Sequence, residues 1–300
     1  MSLHAEIPKD CIKPFSTALG ALTGCGEELH MEAKKTQLIL WSVNLAMTSQ
    51  ALFRISPRFF GQYQLRRPTQ LVNGQTIKQD SIRSRILLKT IRSIFRKNTM
   101  LELLQQCHLD QCIDKSHLQL KLVASDGATK THSLWYGETD PAKALYTKET
   151  QHRFSIDPGY FIDYLQCFHP RVTDVAIECT PDAVKLKSYW NEGVSSSNDR
   201  PMHSEFTINS CDFTSYIIRR NVQLAFGLKE FKTALNYAME TKGLISAYFD
   251  EPGRPIVFTA EVPGSIIADF AIVTKAEESV PTQTSANHSG ISYGSRTGYR

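Results

Sequence analysis

The sequence predicts an α+β fold built from two halves that share one order of helices and strands. Three observations predict it: amphipathic segments with helical spacing, alternating segments typical of half-buried strands, and the recurrence of both in the same order in each half of the 300 residues. The apolar fraction of 41% and the charged fraction of 21% are ordinary for globular proteins. The chain is therefore long and apolar enough for two cores.

The first half is predicted to begin with a helix over 9–22, where Ile12, Phe15 and Leu19 recur at helical spacing. A second amphipathic helix is predicted over 87–97. The strands predicted in this half are 28–33, 37–43, 48–55, 81–86, 100–113 and 118–134, the last interrupted by a turn.

The second half repeats this order. Asp157 and Pro158 are a typical N-cap and first-turn pair and predict a helix over 158–168, and another helix is predicted over 228–240, ending near Gly243. The predicted strands are 154–156, 172–179, 183–189, 204–208, 222–226, 244–249, 255–260 and 266–273. An unrelated pair of α+β domains would give a comparable pattern, and the pattern alone leaves both interpretations open.

The boundaries between segments follow from composition. We predict an N-terminal domain over 1–136, a connector over 137–151, a C-terminal domain over 152–274 and a disordered tail over 275–300, which is rich in Ser, Thr, Gly and Asn. Two further irregular segments are expected within the domains, an exposed loop at 65–80 and a flexible insertion at 190–201.

Cysteine usage and hydropathy bear on the compartment. The seven cysteines are dispersed and odd in number, the N-terminal residues lack the apolar core of a secretory signal, and no apolar run approaches the length of a membrane span. We therefore expect a reducing compartment and no membrane association. The formal net charge of +4 is only mildly basic, so an argument from charge depends on where the cations lie.

The second helix of the first half has a cationic face. Lys89, Arg92 and Arg96 fall at i, i+3 and i+7, while Ile91 and Phe95 fall on the opposite side. A helix of this kind packs its apolar stripe on a sheet and presents its cations outward. Such a face can meet phosphates without reading base sequence.

Two other helices have a cationic face of the same kind. Lys229 and Lys232 lie on the outward face of the helix over 228–240, and Lys9 and Lys13 lie in the same register on the first helix, whereas the helix over 158–168 offers Asp163 and no cation. A solvated face is the simpler interpretation of any single helix, and recurrence on three of four makes contact with nucleic-acid phosphates an equally good interpretation. The candidate DNA-binding residues are Lys9, Lys13, Lys89, Arg92, Arg96, Lys97, Lys229 and Lys232.

Several segments resemble one family. The resemblance is carried, in chain order, by residues 38–44, 49–51, 59–63, 86–96, 129–132, 228–231, 248–256 and 269–274. The most specific of them is the sequence Tyr248-Phe249-Asp250-Glu251-Pro252-Gly253-Arg254-Pro255-Ile256. Together they are similar to the Rad-nine subunit of the nine-one-one checkpoint clamp, over about residues 1–274.

The resemblance implies a PCNA-like DNA clamp, with two topologically similar domains, helices lining a channel and antiparallel sheets outside. It implies a nuclear heterotrimer with two homologous subunits, of the Rad-one and Hus-one types, which an ATP-dependent clamp loader places around double-stranded DNA. Such a clamp recruits checkpoint-signalling and repair proteins, partly through a phosphorylated tail that binds a BRCT-containing mediator, and needs no cofactor. The segment 275–300 is shorter than the tail of that family's pattern. A homotrimeric PCNA-type replication clamp remains an alternative.

Two sets of residues could suggest chemistry. Cys107, His108, Asp110 and Cys112, with His117 nearby, suggest a zinc site. The cysteine spacing, however, lacks the tight pairs of such sites, and alternation on a strand would separate the two thiols. A 3′–5′ exonuclease has been suggested for the resembled family, yet the carboxylates here are scattered rather than clustered for two metals. No phosphate-binding loop or nucleophile elbow occurs. We therefore expect no catalysis.

Overall fold

The structure, a computed structural model, describes residues 2–66, 71–72, 75–76, 81–95, 100–112, 116–137, 143–189 and 203–276. Its helices are α1 (Lys9–Cys25), α2 (Leu88–Ile94), α3 (Met100–Leu103), α4 (Pro158–Gln166) and α5 (Leu228–Glu240). Its strands are β1 (Ser2–Pro8), β2 (Glu28–Lys34), β3 (Gln37–Val43), β4 (Ser49–Ile55), β5 (Gln62–Arg66), β6 (Leu71–Val72), β7 (Gln75–Thr76), β8 (Ser81–Leu87), β9 (Leu104–Cys112), β10 (His117–Ala124), β11 (Thr129–Trp135), β12 (His152–Ile156), β13 (Asp174–Cys179), β14 (Ala183–Tyr189), β15 (Glu205–Asn209), β16 (Ser215–Ile217), β17 (Val222–Gly227), β18 (Ile245–Phe249), β19 (Pro255–Val262) and β20 (Ile266–Val273).

A nine-stranded antiparallel sheet runs through both halves of the chain. Its order is β16-β12-β18-β19-β20-β4-β3-β2-β8, so strands of the second half meet strands of the first where β20 pairs with β4. We call this pairing of β4 with β20 the joint. Because the pairing is antiparallel and continuous from Ile266 opposite Ile55 to Ile272 opposite Ser49, the two halves share one sheet.

The other two large sheets repeat the pieces of the nine-stranded sheet. The five strands β16-β12-β18-β19-β20 correspond in order to the five-stranded sheet β5-β1-β9-β10-β11. The four strands β4-β3-β2-β8 correspond to the four-stranded sheet β15-β14-β13-β17. The predicted repeat is therefore confirmed, and β11 and β15 are the counterparts of the two strands that form the joint.

Two tyrosines show the repeat at the level of single atoms. The hydroxyl of Tyr63 on β5 donates to the carbonyl oxygens of Lys34 (2.7 Å) and Gln37 (3.2 Å), which flank the β2–β3 turn. The hydroxyl of Tyr216 on β16 donates to the equivalent carbonyl oxygens, those of Thr180 and Ala183 (3.0 Å), at the β13–β14 turn.

The core lies between the sheets and the helices. At the joint, the rings of Phe53, Phe270 and Tyr237 pack together at centroid distances of 5.0 to 6.0 Å, and all three are at most 2% exposed. Aromatic side chains bury large areas and prefer such edge-on contacts, so this cluster stabilises the meeting of the halves. Among the described residues, no helix is long and apolar enough to span a bilayer.

The structure corrects several predicted elements. The sequence did not indicate β1, β5, β6, β7 or β16, and β6, β7 and the end of β5 lie in the segment predicted as a loop at 65–80. The predicted strand over 100–113 begins with the helical turn α3, and α2 and α4 are shorter than expected. Lys275, assigned to a disordered tail, is tied down, because its backbone N–H donates to Ala225 and its ammonium pairs with Asp174 at 3.1 Å. The predicted insertion at 190–201 lies outside the described residues.

Candidate nucleic-acid interface

The helices form one row against the sheets. α1 packs against both α2 and α5, and α5 packs against α4, which gives the order α2, α1, α5, α4. Each helix buries its apolar stripe: on α5, Phe231 and Leu235 are fully buried while Lys229, Lys232 and Asn236 are exposed. The opposite, outward surface of the row is the candidate nucleic-acid interface.

The structure places the predicted cations on this surface, except two. Six of them are exposed on three helices: Lys9 and Lys13 on α1, Lys89 and Arg92 on α2, and Lys229 and Lys232 on α5. Arg96 and Lys97 lie outside the described residues. Within the described part of the chain, none of the six has a carboxylate oxygen within ion-pair distance. Their charges are therefore open to an external anion.

Arg92 links two helices of the row. Its Nη1 donates to the hydroxyl of Thr23 on α1 at 2.8 Å, which fixes the guanidinium over the neighbouring helix. A groove of about 480 Å³ lies beside it, between α1, α2 and α5. Phe95 and Tyr237 contribute to the lining of this groove, and most of its other side chains are small or polar, among them Ser16, Thr17, Thr23, Thr233, Asn236 and Glu240. Hydroxyl and amide groups of this kind can donate to phosphate oxygens, as guanidinium groups do.

The sequence did not single out this groove. Its shape depends on Gly24, which lets α1 approach α5 closely. The only signal for it in the sequence is the run of small residues on one side of α1, and that pattern becomes informative only once the helix across from it is known.

Negative charge limits the extent of the basic surface. Glu240, at the end of α5, accepts a hydrogen bond from Thr17 at 3.0 Å. On α4, Asp163 and Gln166 are exposed, and the helix sequence from Pro158 to Gln166 contains no lysine or arginine. Asp157 caps this helix as predicted, accepting from the N–H of Gly159 at 2.7 Å. Cations are therefore concentrated on α2, the start of α1 and the start of α5.

On the face of the nine-stranded sheet that is turned away from the helices, a buried carboxylate of the first half holds the connector. Glu32 on β2 is 2% exposed and receives Lys143 at 2.8 Å, Arg83 at 3.1 Å and Lys34 at 3.4 Å. Lys143 also lies 4.0 Å over the ring of Trp41. Burial alone would raise the pKa of Glu32, but the hydrogen bonds from Lys143 and Arg83 outweigh it and lower the pKa to about 2.

A second buried carboxylate holds the connector from the other half. Asp269 on β20 is 0% exposed and accepts hydrogen bonds from Arg54 (2.7 Å), Tyr146 (2.9 Å) and Thr259 (2.8 Å), and it also pairs with Lys148. Burial opposes ionisation, yet Lys148 and Arg54 keep the pKa of this carboxyl below its ordinary value. Residues 143–148 are thus fastened across the joint at both ends.

The structure describes only part of the residues of β9 that suggested a zinc site. Cys107 is buried on the core side, and burial, helped by Asp110, raises the pKa of its thiol to about 12, whereas metals bind the thiolate. The side chain of Cys112 lies outside the described residues. In the part of the chain that the structure describes, no group of three or more His, Cys, Asp and Glu side chains is placed to hold a metal ion.

Comparisons with known proteins agree on one family. The family model described as Rad9 matches residues 15–275. The chain is 21% identical over 266 residues to the DNA repair protein rad9 of Schizosaccharomyces pombe, an alignment that covers 79% of this chain and 62% of that protein. It is 20% identical over 253 residues to the cell cycle checkpoint control protein Rad9 of Drosophila melanogaster, covering 84% of this chain and 52% of that protein. The chain thus spans less than two thirds of either relative.

The fold agrees with a solved clamp. The crystal structure of the proliferating cellular nuclear antigen from Entamoeba histolytica matches with a TM-score of 0.69 and 12% identity, covering 91% of this chain and 98% of that one. At this identity the likeness establishes the PCNA-like architecture that the sequence had suggested.

Proposed function

Because the chain belongs to the Rad9 family, we propose that it is a non-catalytic subunit of a heterotrimeric checkpoint sliding clamp. The clamp encircles double-stranded DNA at damage sites in the nucleus and recruits checkpoint-signalling and repair proteins. An ATP-dependent loader opens it, since the sequence contains no nucleotide-binding loop of its own. Its two partners are homologous subunits of the Rad-one and Hus-one types.

The arrangement of sheets carries this proposal. The nine-stranded sheet consists of a five-strand piece and a four-strand piece, joined by β20 and β4. The chain contains a second copy of each piece, as the five-stranded and the four-stranded sheet. Among the described strands, each of these copies ends in an unpaired edge strand, β11 or β15. An unpaired edge exposes a row of backbone donors and acceptors that favours pairing with another strand. Repeating the joint between chains would satisfy both edges, and a ring of homologous subunits does this at every contact.

Contact with DNA would come from the helix row. The exposed cations on α1, α2 and α5 suit phosphates of any sequence, and α4 should contribute little because it presents Asp163 instead. Arg96 and Lys97 follow α2 in the sequence and belong to the proposal, although they lie outside the described residues.

Partner proteins would bind on the outer face, beside the fastened connector. Leu145 is 96% exposed between the two anchored ends of the connector, and Leu45 and Met47, on the β3–β4 turn, are 93% and 66% exposed. The turn reaches the end of β20, because Val273 N–H donates to the carbonyl of Thr48 at 2.8 Å. Exposed apolar residues on neighbouring segments are typical of protein-binding surfaces. A BRCT-containing mediator would bind separately, through phosphorylated residues of the tail.

Co-expression with the two homologous subunits tests the assembly. We expect a 1:1:1 complex by sizing, retained on closed circular DNA after loading and released when the DNA is linearised. A stable self-trimer that encircles DNA unaided would instead establish the PCNA-type replication clamp. Nuclease activity that survives purification and disappears on mutation of one carboxylate pair would establish the exonuclease.

The DNA-facing surface is tested within the assembled ring. Replacing Lys89, Arg92 and Arg96 by Ala should weaken retention on all sequences alike and reduce the salt slope by about one for each phosphate that the variant no longer neutralises. Lys121→Ala combined with Lys185→Ala, which removes one exposed and one half-buried cation from strands, is the control and should leave retention unchanged. Unaltered retention of the helix variant on circular DNA at low salt would contradict the assignment.

A further inference from the structure

Phe206 on β15 is the counterpart of Phe53 at the joint. Each phenylalanine precedes its equivalent tyrosine, Tyr216 or Tyr63, by ten residues, and each lies on the core side of its strand. Phe53 is fully buried because Phe270 of β20 and a tyrosine of α5 cover it. Phe206 remains only half-buried, since nothing in the described chain takes the place of β20 beside β15.

The half-buried Phe206 is held in position by aromatic side chains of its own chain. The ring of Phe206 stacks on that of Tyr164 of α4, with a centroid distance of 4.7 Å and an interplanar angle of 13°. The ring of Phe168 also stacks on that of Phe206, at 6.0 Å and 17°. Ile208, two residues further along β15, is buried on the same side. The core side of this edge is therefore apolar, as the core side of β4 is.

β11, the unpaired edge of the five-stranded sheet, differs from its counterpart β20. Counted back from the last residues of the two strands, Lys130 and His132 correspond to Ala268 and Phe270 of β20. Lys130 lies directly opposite Leu122 of β10, a buried core residue, so it points to the core side of the sheet. β11 therefore presents a cation and an imidazole where β20 presents two apolar side chains.

The joint gives the register for pairing two copies of the chain. Ala268 lies opposite Phe53, and it is 0% exposed between the sheet and the helices. In a second copy paired in the same way, Lys130 would lie opposite Phe206 and its ammonium would enter this apolar layer. The aromatic residues on that side of β15 offer no carboxylate, and burial of an unpaired charge is strongly unfavourable.

We propose that Lys130 and His132 prevent β11 of one copy from pairing with β15 of another, so that each edge selects a different homologous subunit. β15 binds an edge strand with a small apolar residue opposite Phe206. That strand has a large apolar residue opposite Ser204, because Ser204 corresponds to Ala51, which lies opposite Phe270 at the joint. β11 binds a strand with a carboxylate placed opposite Lys130. Clamps that must be heteromeric need such unfavourable self-contacts as well as favourable ones. The inference rests on the proposed function, since it identifies what selects the partners.

The test is a gain of self-association. Sedimentation velocity of the full chain over a range of concentrations should show wild type as a monomer. The double variant Lys130→Ala/His132→Phe should associate with itself at least about tenfold more tightly. Adding Phe206→Asp to the double variant should restore the monomer, because the contact needs β15. Lys121→Ala, which removes a cation from the outer side of the adjacent strand, should behave as wild type.

Thermal unfolding of each variant confirms that it is folded before its mass is interpreted. A folded double variant that stays monomeric at all concentrations overturns the inference, as does a wild-type chain that self-associates through β11 and β15. The experiments distinguish a failure of this inference from a failure of the proposed function. If wild type still forms the three-subunit complex while the double variant gains nothing, only this inference fails. If the double variant self-associates but wild type joins no other subunit, only the proposed function fails.

Discussion

Gly24 on α1 lies against Thr233 on α5, at the point where helices of the two halves cross. A Cβ added to Gly24 would lie 2.6 Å from both Cγ2 and Oγ1 of Thr233. That separation is well inside van der Waals contact, and the threonine is held in place because its hydroxyl donates to the carbonyl of Lys229 at 2.9 Å. The absence of a side chain at residue 24 therefore sets how closely the helices of the two halves pack.

Gly24→Ala should consequently lower the free energy of unfolding. Overpacking costs about 1–3 kcal/mol, and the better helix propensity of alanine offsets about 1 kcal/mol of it, so the net loss should be roughly 1 kcal/mol. Urea unfolding measures it. Thr233→Ala removes both clashing atoms, so the double variant should recover the loss. A double variant no more stable than Gly24→Ala alone would show that the contact is not the cause.

Substitution of Tyr237 is expected to have the opposite effect, a gain in stability. Its hydroxyl is buried at the joint and has no hydrogen-bond partner in the part of the chain that the structure describes. Unfolding returns this hydroxyl to water, so its burial is a cost to the folded state. Tyr237→Phe should raise the free energy of unfolding by about 1 kcal/mol. A decrease measured by urea unfolding would reveal a partner for the hydroxyl and contradict the assignment.

Tyr63→Phe and Tyr216→Phe should both destabilise, although the chemical change is the same as at Tyr237. Each removes the donor shared by two turn carbonyls, at a cost of about 1 kcal/mol per site. Because the two tyrosines lie in different sheets, the losses should add in the double variant. Equal unfolding energies for wild type and the double variant would show that these hydroxyls do not stabilise the turns.

Local pattern was sufficient for α1, α2, α4, α5 and most strands, but not for the pairing of the strands. β1 was missed because one of its three inward residues is only an alanine, Ala5, and because the strand ends at Pro8, directly before α1. It is a strand because β5 and β9 pair with it on both sides. Exposure of the cations on α2 and α5 followed from helical spacing alone, since spacing fixes which face is apolar.

The features that tie the halves together could not be predicted in the same way. Asp269 interrupts the apolar run of β20, which signals a buried charge, whereas Glu32 takes an ordinary polar position in the alternation of β2. Their partners, Lys148 and Lys143, each lie more than a hundred residues away along the chain. The same limitation applies to Lys130, whose direction depends on its pairing with Leu122. Contacts of this kind follow from sheet register, which a single sequence does not specify.

The fastening of the connector by Glu32 predicts a dependence of stability on pH. The pKa of Glu32 is about 2 in the folded protein and near its ordinary value of 4.5 when unfolded. The stabilisation is therefore fully present above about pH 4.5 and is lost as the pH falls toward 2. Asp269, whose pKa is also lowered, acts in the same direction.

Glu32→Gln should accordingly be less stable than wild type near neutral pH, by on the order of 2 kcal/mol, and the two unfolding energies should converge near pH 2. The amide exchange of Ala144, whose N–H donates to Gln50 at 2.8 Å, should also accelerate in the variant, because the connector is then anchored at one end only. Glu261→Gln, at an exposed glutamate on β19, is the matched control and should change neither quantity. A stability difference that stays constant from pH 7 to pH 2 would mean that the charge of Glu32 does not hold the connector.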